Sequence, residues 1–485
     1  MTALERLAAS VLLPGFSSAS APDWLLDWLD RGLAGVCLFG QNVVDPAQLR
    51  RLTDELHARR AGVLVASDEE GGTVTRMESA TGSSWPGHGT LGALDDPRTT
   101  YDVARGLGAA ARAAGIDVVA APVVDVASEP DNPVIGVRSF GADPALVARH
   151  GAQFVEGLQA AGVAACAKHF PGHGATRTDS HVALPVIEVD EATWRRRDLP
   201  PFTAAVGAGT RCVMTAHVVL TALDAVPATM SAPVLRLLRE ELDYDGVIVS
   251  DALDMRAISH GVGRAEGAVR ALEAGVDLLC IGNPDFPDPY DDEAAVEEVV
   301  AAVVAAVAGG RLTRERLEEA SGRVAALGAW AAQQAGRPRT PQPADLGVSA
   351  ARCALQVRGE VGVRDDAVVL VPRTAVGFAA GRRESALVAE LTARRPSWPV
   401  VADADATRAR GVAADGRRVV VVVDGRLDAE AVDTVRAVLD ERPDSVVVYG
   451  GPAGASDPGD HTVHTHGGGR ATARAAADLI LEETR

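Results

Sequence analysis

From its first residues to about residue 335, this sequence repeats one unit: a short apolar run, a loop, then an Ala/Leu/Arg-rich stretch with helical spacing. A strand regularly followed by a helix brings the chain back to begin its next strand in the same direction, so the repetition predicts a parallel sheet. The strands are predicted at residues 11–13, 36–39, 63–67, 118–122, 164–168, 212–216, 247–250 and 277–281, most of them far enough apart for a crossover helix. Eight such strands in series imply a TIM-like (β/α)8 barrel. Two of the helices between them are marked at their ends. Residues 46–60 follow Asp45, and residues 144–161 follow Asp143 and stop at Gly162, which gives each helix a side-chain acceptor for its first free N–H groups and the second a glycine to end on.

Residues 333–345 carry Gly336, Pro338, Pro341 and Pro343, a composition that opposes both helix and strand and favours an extended connector. Beyond it, valine-rich runs at 367–371, 400–402, 418–423 and 445–449 alternate with helical stretches such as 429–439 and 471–483, the pattern of a small three-layer α/β/α domain. The expected organisation is a barrel over 1–335, a linker over 336–348 and the smaller α/β domain over 349–485. The glycine-rich turn at 450–454 is read as structural, because one such turn is weak evidence for anion binding.

Composition narrows the function classes. The 485 residues are 47% hydrophobic and 23% charged, ordinary for globular chains. No apolar run approaches the roughly 18 residues of a membrane span. The first twenty residues lack a basic start, and Pro14 and Gly15 interrupt their apolar stretch, so a cytoplasmic location is expected. Cys37, Cys166, Cys212, Cys280 and Cys353 form no CxxC pair, which points to neither a disulfide framework nor a zinc site. The charge of −19, from 66 acidic against 47 basic side chains, repels phosphate backbones and anionic lipid, so neither nucleic acid nor membrane is an expected partner. No nucleotide fingerprint is present, and no cofactor or metal is expected. Oligomeric state is not encoded in any recognisable pattern.

In barrels of this type the reactive side chains stand at the C-terminal ends of strands. Here the third strand ends in Asp68-Glu69-Glu70-Gly71-Gly72, the fifth in Lys168-His169-Phe170-Pro171-Gly172-His173-Gly174, the sixth in His217, the seventh in Ser250-Asp251 and the eighth in Asn283. Carboxylates, a lysine, histidines and Arg138 suit a polyhydroxylated ligand such as a sugar. Glycosidic cleavage needs one group at the anomeric carbon and another to protonate the departing oxygen. Asp251 fits the first role, with helix capping as its bland alternative. For the second, Asp179-Ser180-His181 places a carboxylate two residues before an imidazole, so that one ring nitrogen can be held while the other faces substrate. A solvated turn is the bland alternative for that triplet.

These residues carry a family resemblance. Residues 168–174 followed by Asp179-Ser180-His181 resemble the signature of bacterial glycoside hydrolase family 3 β-N-acetylglucosaminidases of the NagZ type, with the same spacing between the two parts. Asp68-Glu69-Glu70-Gly71-Gly72 with Arg76, Gly136-Val137-Arg138-Ser139-Phe140, and Ser250-Asp251-Ala252-Leu253-Asp254-Met255 are similar to further segments of that family. The resemblance implies a retaining exo-enzyme in which Asp251 forms the glycosyl-enzyme, His181 is acid then base, and Asp179 orients His181. It also implies that Asp68, Arg76, Arg138, Lys168 and His169 bind the terminal N-acetylglucosamine of a muropeptide or chitooligosaccharide. His217 and Met255 are expected to line the pocket or brace it, and His173 to shape its loop. A second domain matches the longer Gram-positive members, and the Asp-Ser-His segment within the barrel argues against a family 3 β-glucosidase. Two further rivals remain: a phosphorylase, because a histidine that has given up its proton repels phosphate less than a carboxylate does, and a saccharide-binding pseudoenzyme.

Overall fold

The computed structural model describes residues 1–180, 183–286, 288–335, 343–373, 385–425, 427–451 and 457–482. They form an α/β fold of two compact units. Unit 1 comprises Met1–Glu69, Thr100–Ile135 and Ala142–Pro341, and unit 2 comprises Glu70–Thr99, Gly136–Gly141 and Gln342–Arg485. The expected linker over 336–348 falls outside the described residues as far as 342, and its last three residues open the helix Leu346–Ala354.

Unit 1 is built on parallel strands: β1 (Leu12–Pro14), β2 (Gly35–Leu38), β3 (Leu64–Ser67), β4 (Val118–Val119), β5 (Ala164–Phe170), β6 (Cys212–Thr215), β7 (Val247–Val249) and β8 (Leu279–Gly282). Six of them form one sheet in the order β7-β6-β5-β4-β3-β2, and β1 pairs with β8. The sheet curls. Ser250 N–H donates to Leu278 O at 2.9 Å beside β7 and β8, and Ala34 N–H donates to Ala9 O at 3.2 Å beside β2 and β1. Residues two apart on a strand face the same side, and the pairs Leu64/Ala66, Ala164/Cys166, Val247/Val249 and Leu278/Cys280 share one core cluster with Leu13, Cys37 and Cys212. Val324, Leu327 and Ala331 of the helix Arg314–Ala335 join that cluster. Helices Pro46–Arg59 and Pro144–Ala160 start where their caps predict, with Asp45 accepting from Gln48 N–H and Asp143 from Ala145 and Leu146 N–H.

Unit 2 holds a second sheet of β9 (Gln356–Arg358), β10 (Ala367–Pro372), β11 (Val400–Ala404), β12 (Arg418–Val423), β13 (Val446–Tyr449) and β14 (Thr462–His464), in the order β9-β14-β13-β12-β10-β11. Only the β9–β14 pair is antiparallel. Val420 and Val422 of β12 pack with Leu391 and Ala476 on one face, while Val419 and Val421 pack with Ala409 and Val438 on the other. The segments that unit 2 takes from the first half of the chain are bound closely into it. Ala471 N–H donates to Ser83 O at 3.1 Å, and Thr90 Oγ1 donates to Thr465 O at 3.1 Å. Gly469 has φ +101, and a Cβ there would lie 2.6 Å from Gly72 O, so backbone meets backbone at that point and only glycine fits.

Candidate active site

Unit 1 gathers most of the predicted site residues at the C-terminal ends of its strands. Asp251 follows β7 and is half-buried. The residue before it is fixed to β8: Ser250 is buried and its Oγ accepts from Cys280 N–H at 2.9 Å. Ala252 N–H donates to Asp251 Oδ1 at 2.8 Å, and Leu253 N–H donates to Cys280 O at 3.0 Å. His217, just beyond β6, is buried with one ring nitrogen 2.8 Å from Thr229 Oγ1 and the other 2.9 Å from Ala252 O. It therefore braces the backbone beside Asp251. Met255 is buried one turn further on.

β5 contributes Lys168 and His169. Lys168 Nζ donates to Asp68 Oδ1 at 2.7 Å, with the lysine side chain 3% exposed and the aspartate 21%. Burying the ammonium would cost several kcal/mol without such a partner. His169 Nδ1 lies 2.7 Å from Asp125 Oδ2. Asp125 also accepts His173 N–H at 2.7 Å. Burial opposes ionisation of Asp125, but the charges and hydrogen bonds of His169 and His173 outweigh it and hold the carboxyl below its ordinary range. His173 is itself pushed down to about 4, chiefly by burial and then by His169, so its ring is neutral at physiological pH. That ring lies between Thr176 Oγ1 at 2.7 Å and Ser180 Oγ at 3.1 Å, which anchors the loop after β5 as the sequence implied.

Asp179 and Ser180 are buried, and His181 lies outside the described residues. The chain leading to it is placed: Ser180 O accepts Ala257 N–H at 3.3 Å. Ser180 is thus tied to the short helix Arg256–Ser259, which begins five residues after Asp251.

The two predicted arginines belong to unit 2. Arg138 ends a 3-10 turn, Gly136–Arg138, and grips Glu70 with two parallel bonds, Nε to Oε2 at 2.9 Å and Nη2 to Oε1 at 2.8 Å. Arg76 follows the two-residue strand Val74–Thr75 and is half-buried.

Sequence reasoning assigned no role to Asp125 or to Glu70. Asp125 ends the apolar stretch Val118–Val124 and would have been found by the same strand-end rule. Glu70 lies inside the Asp68–Gly72 segment, but nothing in a sequence shows which arginine a glutamate will meet. Among the described residues no three His, Cys, Asp or Glu side chains converge as metal ligands, and no helix is long and apolar enough to cross a membrane.

The chain is similar to several known proteins. Beta-hexosaminidase A of Pseudoalteromonas piscicida is 36% identical over 318 residues, covering 61% of this chain and 53% of its own, so the chain spans about half the length of that relative. A beta-hexosaminidase of Thiobacillus denitrificans is 39% identical over 265 residues, covering 53% of this chain and 73% of its own. A glycoside hydrolase family 3 beta-N-acetylglucosaminidase from a Paenibacillus species superposes with a TM-score of 0.85 at 31% identity, covering 100% of this chain and 98% of that one. The model of the glycosyl hydrolase family 3 N terminal domain matches residues 18–327, more than half of the chain, and the chain belongs to that family.

Proposed function

We propose that this chain is a retaining exo-β-N-acetylglucosaminidase that removes non-reducing terminal N-acetylglucosamine from muropeptides or chitooligosaccharides. The observation that carries this reading is the hydrogen bond from Ala257 N–H to Ser180 O. It ties Ser180, the residue before His181, to the helix that begins five residues after Asp251, which supports a reading in which the two groups act on opposite ends of one glycosidic bond. Family membership and the names of the hexosaminidase relatives support the same activity. In this reading unit 1 closes into a full (β/α)8 barrel, residues 1–335 form the catalytic domain, and residues 349–485 form the core of a separate α/β/α domain.

Asp251 attacks the anomeric carbon while His181, oriented by Asp179, gives its proton to the leaving oxygen. The bond from sugar to aglycone breaks as the bond to the Asp251 carboxylate forms. His181, now neutral, takes a proton from water, which displaces Asp251 with net retention. Asp68 and Lys168, bound to each other, and His169, held by Asp125, contact the sugar hydroxyls. His217 and Met255 support the pocket.

The test is turnover of an aryl N-acetylglucosaminide by wild type and D251A, with the anomer formed first followed by proton NMR. D251A should lose about a thousandfold or more in kcat, and the wild-type product should be the β anomer. Normal turnover by D251A, or the α anomer appearing first, would overturn the reading.

A further inference from the structure

Asp254 stands three residues after Asp251 and is 5% exposed. Its Oδ2 accepts Asn283 N–H at 2.7 Å. The preceding residue, Gly282, has φ +116, and a Cβ there would lie 2.0 Å from Asp254 Cγ, so the end of β8 lies directly against the carboxyl group. Asn283 is held from its other side, where its Oδ1 accepts Gln41 Nε2 at 2.6 Å and Asp285 N–H at 3.1 Å. The turn after β7 is therefore fastened to β8 at Ser250, Leu253 and Asp254, on both sides of Asp251.

The ionisable surroundings of Asp254 come from four directions. Asp251 faces it from its own turn, Cys280 from β8, Arg264 from the helix Arg264–Ala274 and Tyr290 from the segment after β8. Arg264 is engaged elsewhere, with its guanidinium 3.9 Å from the centre of the Tyr290 ring and its Nη1 3.7 Å from Glu298. Arg264 Nε and Tyr290 Oη are buried with no hydrogen-bond partner among the described residues.

We propose that Asp254 is a positioning residue for Asp251, a buried carboxyl group that clamps the turn after β7 onto the end of β8. Burial pushes its pKa up to about 8, and the charge of Asp251 adds to this against the pull of Asn283 N–H and Arg264. At neutral pH the clamp is an uncharged acid. It fixes the backbone without setting a second anion beside Asp251, which would raise the pKa of a carboxylate that must be ionised to attack. Above pH 8 the group ionises in a site that cannot solvate it and moves toward water, and the clamp loosens.

The proposal rests on Asp251 as nucleophile, and the experiment keeps the two apart. The probe is an N-acetylglucosaminide with a strongly activated aryl leaving group, whose departure does not wait for a proton from His181. D254A should lose about a hundredfold in kcat with little change in KM, the effect of misplacing a reacting group by about 1 Å. D254N has the shape of the neutral acid and an acceptor for Asn283 N–H. It should recover activity to within about threefold of wild type near neutral pH, and the ratio of its kcat/KM to that of wild type should rise above the pKa of about 8. D254N falling as far as D254A, or a ratio flat across that range, would overturn the proposal. Should D254A fail to fold, D254N and the pH ratio decide alone. An active D251A would instead remove the nucleophile assignment, a result that no Asp254 variant can imitate.

Discussion

Asp125 has no exposed surface, yet its carboxyl is held below the ordinary range because His169 and His173 both face it. A buried carboxylate of this kind orients its imidazole partner, so its charge matters beyond its size. D125N keeps the shape and loses the charge; it should lower kcat/KM by about tenfold to a hundredfold while the protein stays folded. Activity equal to wild type would show that His169 is positioned by packing alone. At this scale the strand-end rule made Asp68, Lys168, His169 and Asp251 legible, since each follows or closes an apolar run. It misses Asp125 because the predicted strand stops at Pro122, although Val123 and Val124 continue the apolar run. Asp254 was illegible for a different reason. Its role depends on Gly282 lying against it, and tertiary proximity across 28 residues leaves no local pattern. His217 was expected to line the pocket or brace it, and both of its ring nitrogens have protein partners.

Among the elements, the eight strands predicted for the barrel are all strands, with ends displaced by a few residues. The fourth is the shortest, Val118–Val119, because the chain leaves the regular ladder before Pro122, which has no N–H to donate. Hydrogen bonds to β5 continue past Val119, with Cys166 N–H donating to Ala121 O at 2.9 Å, Lys168 N–H to Pro122 O at 3.0 Å and Val124 N–H to Lys168 O at 2.8 Å. Two strands of the six-stranded sheet of unit 2, β9 and β14, have no counterpart in the sequence reading. Both have three residues, and all three of β9 are exposed, so it presents no apolar run to read. The start of β8 depends on Asp277, which is wholly buried and accepts Ile248 N–H at 3.0 Å. It pairs with Arg316 at 2.6 Å, with Arg323 at 3.2 Å and with Arg239. Replacing it leaves Arg316 and Arg323 with Glu319 as their carboxylate partner, at 2.8 and 2.7 Å, and removes the carboxylate from beside the part-buried Arg239, and D277A should lose about 3–5 kcal/mol of stability in urea unfolding. A loss below about 1 kcal/mol would show that the arginines reach solvent as easily as they reach Asp277.

The molecule as a whole is partitioned differently from the chain. The proline-rich segment after residue 335 marks where the backbone changes composition, but unit 2 also takes Glu70–Thr99 and Gly136–Gly141 from the first half. Nothing in a sequence shows that a loop after one strand will pack with residues nearly 400 positions later. Those segments depend on the C-terminal part, since Glu78 pairs with Arg470 and Ser84 O lies against Gly347, where a Cβ would come within 2.2 Å. A protein shortened to residues 1–335 should therefore be cut by protease first within 70–99, about tenfold faster than the full chain. Equal cleavage rates would mean that these loops hold their own shape. For anyone recombining family members, the five points where the chain passes between units matter more than the single linker. A graft that exchanges only the C-terminal part would set a foreign residue 469 against Gly72, and a Cβ there would lie 2.6 Å from the Gly72 carbonyl oxygen and keep the surfaces from meeting. A working hybrid must carry the three segments of unit 2 together.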